Sequence, residues 1–388
     1  MLKLPRSAAA RLRDRFFRTK WLVMLVAAAV LVFFGRTTDM RSLTQSALVI
    51  GLGIDVSEDA FVVSTLSVVV SGGTGGTSTQ SFAVHSAEGA TLSEGLDKIS
   101  QKMGLLVSLS HCNVLVLSKE AFEIDGAELF SPLVVSYSLP EQAAITATEA
   151  PPSDVLAART GTTVASTYLV QSSLIQNLGG DGLTFVTVKD YLADTMSRSG
   201  SVNLPLIDVA EAEHPPEGQD GKTEGVAELT MGRNLVVFKG GSFVIEEELA
   251  QVTTMLVRNK VLGRLSVQTP AGDRFEFRVL NASPSVEADG MSVHAALDVT
   301  VSFMEAQGAS AEGKLSPSSE AVRAAADDAA DMLKERILAC HRLSLETGAD
   351  FLHLEEAVYR KAGYPLPKGC LDDIAFDCSV TVKVKEAG

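Results

Sequence analysis

Apolar positions recur along this chain with two periods, two and about 3.6, and each period marks a class of element. Two β-branched runs, 47–56 and 61–70, flank the polar turn Ser57-Glu58-Asp59, which is a hairpin pattern. A Gly-rich loop covers 72–78, and a short strand is expected at 81–85. Thr91-Leu92-Ser93-Glu94 is a capping box; Leu96, Ile99 and Met103 give the helix behind it an apolar face, and Gly104 ends it. Strands follow at 105–109 and 113–117, a helix at 126–138, a strand at 143–148 and a short helix opened by Pro151-Pro152-Ser153-Asp154. The stretch 160–167 has no clear period. A helix is expected at 187–196 with Val188, Tyr191, Leu192 and Met196 on one side, then a strand at 204–210.

Residues 214–225, HPPEGQDGKTEG, hold two prolines, three glycines and no apolar side chain, and read as a linker or exposed loop. Beyond them strands are expected at 227–230, 235–238 and 243–245, a helix at 246–258, and strands at 263–268, 276–280 and 291–304. From Val293 to Phe303 the alternation is nearly pure period two, so one face of that strand is buried and the other solvated. The longest helix is expected at 319–347. Val322, Ala325, Ala329, Met332, Leu333, Ile337, Cys340 and Leu343 make a stripe wide enough to cover a sheet, and Gly348 stops it. A last alternating strand covers 374–384.

Charge changes the picture at the N-terminus. Within 1–20, seven basic residues face a single acid, Asp14. Subtracting that +6 from the formal −15 of the 388 residues leaves about −21 on the remainder. So acidic a body excludes nucleic acid as partner, since phosphate contact needs lysine and arginine on one face. Residues 21–35, WLVMLVAAAVLVFFG, are apolar without interruption. That is shorter than the usual span of about 20, although flanking side chains can lengthen it by snorkelling. Val32-Phe33-Phe34-Gly35 is too bulky for a signal-peptidase site, so we read 21–36 as an uncleaved transmembrane signal anchor and 1–20 as its cytosolic leader. The body, 40–213 and 226–388, is then extracytosolic.

The search for chemistry returns little. Gly51-Leu52-Gly53 lacks the third glycine and the helix of a phosphate cradle, and suits a bulge or a close backbone approach. His111 beside Cys112 on a strand points to the opposite face, and His341 beside Cys340 on a helix has equally poor geometry. His353, Glu355 and Glu356 lack metal-ligand order, and Asp327, Asp328 and Asp331 fit a solvated helix face. There is no GxSxG, P-loop or CxxC motif. We expect no catalytic, cofactor or metal site. Cys112, Cys340, Cys370 and Cys378 are too few for a disulfide scaffold; Cys370 and Cys378 could bridge if their strands pair, with free buried thiols the favoured state.

Several stretches together resemble the Ger(x)C family, the C subunits of spore germinant receptors. Ala47 to Asp55 is close to the family's opening after the signal, and 89–104 with 111–117 is similar to its helix and following strand, with Ser110 where glycine is usual. Leu204-Pro205 resembles its LP turn, and Leu235 to Lys239 its hairpin. Gly348-Ala349-Asp350-Phe351 with Tyr359-Arg360-Lys361 resembles its C-terminal block. Two features depart. No lipobox cysteine follows the apolar run, so Gly35-Arg36-Thr37 offers no site for lipid, and the C-terminal tryptophans are replaced around Leu366, Cys370 and Phe376. The resemblance implies a mixed α+β fold in about three domains with antiparallel-rich sheets. It also implies a non-enzymatic subunit on the outer face of the spore inner membrane, partnered by receptor A and B subunits. A membrane-tethered solute-binding or envelope-assembly protein is the alternative from another class.

Overall fold

The computed structural model describes residues 20, 24–26, 46–57, 60–72, 78–160, 163–164, 186–211, 227–258, 263–308, 317–362 and 369–385. Of the expected anchor only 24–26 fall among them, as exposed helix; the rest of 21–36 lies outside the described residues, as do 73–77 and 214–225. Among the described residues no helix is long and apolar enough to cross a membrane.

The expected hairpin is formed by β1 (Ser46–Ser57) and β2 (Ala60–Gly72), and β3 (Ser78–Gly89) extends it. The glycines of β1 do what their sequence context indicated. The β1–β2 register breaks between Val49 and Gly51. A side-chain carbon on Gly53 would lie 2.9 Å from Pro152 Cβ and 3.1 Å from Leu156 Cδ1. In helix α1 (Leu92–Met103), Thr91 Oγ1 accepts from the Glu94 amide at 3.1 Å, while Glu94 reaches back to the Ala90 amide at 2.9 Å. Gly104, at φ 65°, closes it.

There follow β4 (Leu106–Ser108), β5 (Val114–Ser118), α2 (Gly126–Tyr137), β6 (Ala144–Thr148), α3 (Pro152–Ala157), β7 (Arg159–Thr160), β8 (Thr163–Val164), β9 (Val186–Thr187), α4 (Val188–Met196), β10 (Ser201–Glu211), β11 (Ala227–Phe238) and β12 (Gly241–Ile245). Ten strands form one sheet in the order β12-β11-β10-β6-β5-β1-β2-β3, with β4 also on β1 and β9 on β6. Its middle is parallel, β1 to β5 to β6 to β10, and its flanks antiparallel. Parallel neighbours need crossovers, and α2 supplies the one between β5 and β6. Leu96, Ile99, Phe130, Leu133 and Tyr191 from α1, α2 and α4 close one face over Leu52 and Leu115. On the other face Val155 and Leu156 of α3 cover Leu66, Val116 and Ile207.

A second, four-stranded sheet is built from β13 (Arg264–Gln268), β14 (Arg274–Asp289), β15 (Ser292–Gln307) and β16 (Ala375–Val384) in that order. Three helices serve it, α5 (Glu247–Arg258), α6 (Ser319–Thr347) and α7 (Leu354–Ala362). The first three strands are antiparallel, and β16 lies parallel to β15. Val293, Ala295, Leu297, Val299 and Val301 are buried against the stripe of α6, as their alternation requires. Val236 and Ile245 of the larger sheet join the same core. The fold is thus mixed α+β with two sheets.

Three details differ from expectation. Met196, placed on the apolar side of α4, is 82% exposed at the helix end. The two strands expected at 227–238 are the single strand β11, whose centre at Gly232-Arg233-Asn234 carries no apolar signal. Leu204-Pro205 lies within β10 and not at a turn; a register shift between Pro205 and Ile207 absorbs the missing amide of proline. The strands on either side of 214–225, β10 and β11, pair with each other from Ser201–Phe238 to Glu211–Ala227.

Candidate functional site, a buried charged junction

Four chain segments meet where the two sheets join. The first begins at Gly348, whose left-handed backbone (φ 68°) turns the chain out of α6. The next residues are buried, and Phe351 packs edge-on against Phe243 at 5.9 Å. Between them, the carboxylate of Asp350 accepts the amides of Leu354 and Glu355, each at 2.8 Å, and so caps α7. The same carboxylate accepts the hydroxyl of Ser199, and Ser201 Oγ donates to the Asp350 carbonyl at 2.6 Å. Ser199 and Ser201 belong to the second segment, the bend from α4 into β10, which turns at Gly200 (φ 59°).

That bend also carries Arg198. Its amide donates to Glu356 Oε2 at 3.1 Å, its guanidinium lies 3.9 Å from Glu355, and it stacks over the Tyr359 ring at 5.6 Å. Arg198 and Glu355 are 12% and 7% exposed, so this pair works at low dielectric. Nearby, Arg258 at the end of α5 pairs with Asp194 of α4. His353 sits among these groups with φ 61°, which few non-glycine residues adopt.

The electrostatics follow from burial. Burial raises the Asp194 carboxyl above the ordinary carboxylate value, opposed by Arg258. Glu355 is raised by burial and by the neighbouring Asp350. Burial pulls against Glu356 too, but the Arg198 amide and Arg360 outweigh it and hold that carboxyl low. Burial depresses the His353 imidazole, although Asp194 and Asp350 pull it the other way. Removing one member would leave its partner buried and uncompensated. Among the described residues no group of three metal-ligating side chains is disposed to hold an ion.

The other residues weighed from sequence are dispersed. Cys112 is buried while His111 is exposed. Cys370 and Cys378 are buried free thiols, as are Cys112 and Cys340. Cys340 contacts Thr253 at 3.4 Å, and His341 packs on Phe376 at 4.7 Å. The spacing of His353, Glu355 and Glu356 predicts no site, Asp350 stands out in the sequence only as part of the Gly348-Ala349-Asp350-Phe351 stretch, and nothing local places Arg198 or Ser199 beside them. The available signal was an aspartate just after a helix-stopping glycine and just before a new acidic helix start.

Residues 39–209 match the family model described as the spore germination protein N-terminal domain. Residues 39–209 thus carry the N-terminal domain of the Ger(x)C family. The crystal structure of the GerBC protein is similar over 87% of this chain and 97% of that one, with 10% identity and a TM-score of 0.46. No curated protein matches the chain. The matched segment ends within β10, so Asp194, Arg198, Ser199 and Ser201 belong to the Ger(x)C N-terminal domain. Arg258 and 350–359 lie beyond it. The junction therefore ties that domain to the second sheet.

Proposed function

We propose that this protein is the C subunit of a nutrient germinant receptor, seated at the spore inner membrane and acting through assembly or signal transfer without catalysis. The observation that carries the reading is the family match over 39–209, which makes spore germination the process. In this reading 21–36 holds the protein in the membrane, the basic leader stays cytosolic, and the body faces outward to meet receptor A and B subunits. The lack of a lipobox cysteine makes a helix the means of attachment. A non-catalytic role is in keeping with thiols that are buried and raised away from reactivity, Cys112 to about 12 and Cys340 to about 11.

Deleting the gene tests this. Nutrient-triggered germination should be lost, with spore formation and non-nutrient germination normal. An unchanged nutrient response in a strain without paralogues would refute it. Affinity capture of the full chain from spore membranes should also bring down the A and B subunits.

A further inference from the structure

A serine, a histidine and an aspartate meet on the solvent face of the second sheet. β15 and β16 run parallel, with His294 beside Asp377 and Ala296 beside Ser379. Asp377 and Ser379 are two positions apart on one strand, so both project to the face that carries His294. Val293 and Ala295, which flank His294, and Cys378, between Asp377 and Ser379, turn inward to the core under α6. His294 Nε2 lies 3.0 Å from Ser379 Oγ, and His294 Nδ1 lies 3.4 Å from Asp377 Oδ2. A carboxylate at Nδ1 favours the tautomer with its proton there, which leaves Nε2 to accept from the serine hydroxyl. On its other side His294 pairs with Glu287 of β14, so a carboxylate approaches it from each neighbouring strand. The His294 side chain is 48% exposed, Ser379 is exposed, and its neighbour Ala296 is small. The hydroxyl is therefore open to an incoming molecule. A hydroxyl paired with a base that a third group orients is the arrangement of an activated nucleophile, whatever the order of the three in the chain.

We propose that Ser379 is an acyl acceptor, taking an acyl group from activated esters or thioesters with His294 as its base and Asp377 orienting the imidazole. In the step, Ser379 Oγ bonds to the acyl carbon, its proton passes to His294 Nε2, and the bond to the leaving alkoxide or thiolate breaks. The imidazolium then returns its proton to the leaving group, and Asp377 and Glu287 stabilise the cation in the interval. The product is an ester at Ser379, formed once per chain, so the step stands apart from the receptor role proposed above and needs no turnover. General-base assistance gives about 10²- to 10⁴-fold. On this solvated face the low end applies, because the charges it draws on are screened.

The same face carries its own controls. Ser283 and Ser285 of β14 are exposed hydroxyls whose cross-strand partners are Asp298 and Ala296, not an imidazole. In the test the full chain is incubated with p-nitrophenyl acetate, and acetylation is mapped by mass spectrometry of its peptides. Ser379 should be acetylated about 100-fold faster than Ser283 or Ser285, at a rate that falls as the imidazole is protonated. Ser379→Ala should lose that label with its circular dichroism spectrum unchanged. His294→Gln should bring Ser379 down to the rate of the two reference serines. Asp377→Asn should slow it several-fold and alter the pH profile. Equal labelling of the three serines in the unmutated chain overturns the proposal, as does undiminished labelling of Ser379 in His294→Gln. An unchanged rate and profile in Asp377→Asn overturns the orienting role.

Discussion

Asp350 is the residue on which most of the junction converges. It accepts two helix amides and a serine hydroxyl while its carbonyl accepts another. Replacing it by alanine should cost about 2–4 kcal/mol, combining a lost cap with lost charge-assisted hydrogen bonds; urea unfolding followed by circular dichroism reads this directly. Asn in its place should recover part of the loss. His353 sets a pH dependence. Its folded value lies below the ordinary 6.5, so the folded state resists protonation. Its contribution is complete above 6.5 and is lost as pH falls from there through the depressed value. Glu355 and Asp194 are raised, so their ionised forms cost stability near neutrality, and that cost is relieved as pH falls through their raised values. His353→Gln should therefore flatten the drop in urea midpoint between about pH 7 and about pH 5.5. If the variant kept the full drop, His353 would not be its source. Gly53→Ala, by contrast, meets Pro152 at 2.9 Å and should destabilise by about 1–3 kcal/mol through overpacking.

Among the elements, α6 is the one whose removal would expose most of the second core. Ile337→Ala, at the centre of its stripe, should cost about 2–5 kcal/mol in the same unfolding assay. The thiols provide an independent check on packing. All four are buried and free, so an aromatic disulfide reagent should leave the folded protein untouched and titrate four thiols after unfolding without prior reduction. Titration of two would mean that Cys370 and Cys378 are bridged. How much was legible beforehand varied with how local each cause is. Helix α6 was read to its last residue because stripe and stop are both local, and α1 because Thr91, Glu94 and Gly104 mark its ends. β14 was read as 276–280 but runs from Arg274 to Asp289, because Ser283-Pro284-Ser285 lacks strand propensity and is held by pairing with β15. The parallel centre of the large sheet also escaped, since pairing direction leaves no mark on a strand's own sequence. The junction was half legible. Its acidic half was noticed at His353, Glu355 and Glu356, but its partners lie some 150 positions earlier, and only folding brings Ser199 to Asp350.

In the molecule as a whole, the two sheets share one core through Val236 and Ile245 and one charged junction through Arg198 and Asp350. They should unfold together in a single transition. Arg198→Ala, which strips the guanidinium from Glu355 and Tyr359, should broaden or split that transition, as seen by comparing far- and near-ultraviolet circular dichroism. Coincident curves for the variant would show that the apolar contacts suffice. The order of the large sheet has a mechanical consequence. β1, the first strand among the described residues, is an interior strand, bonded to β2 on one side and to β5 on the other. If 21–36 anchors the chain as proposed, tension from the N-terminal side would load those two ladders in shear, many hydrogen bonds at once. A tether joined to an edge such as β3 or β12 could instead be peeled away bond by bond. A protein attached through an interior strand can be pulled from that end and keep its shape.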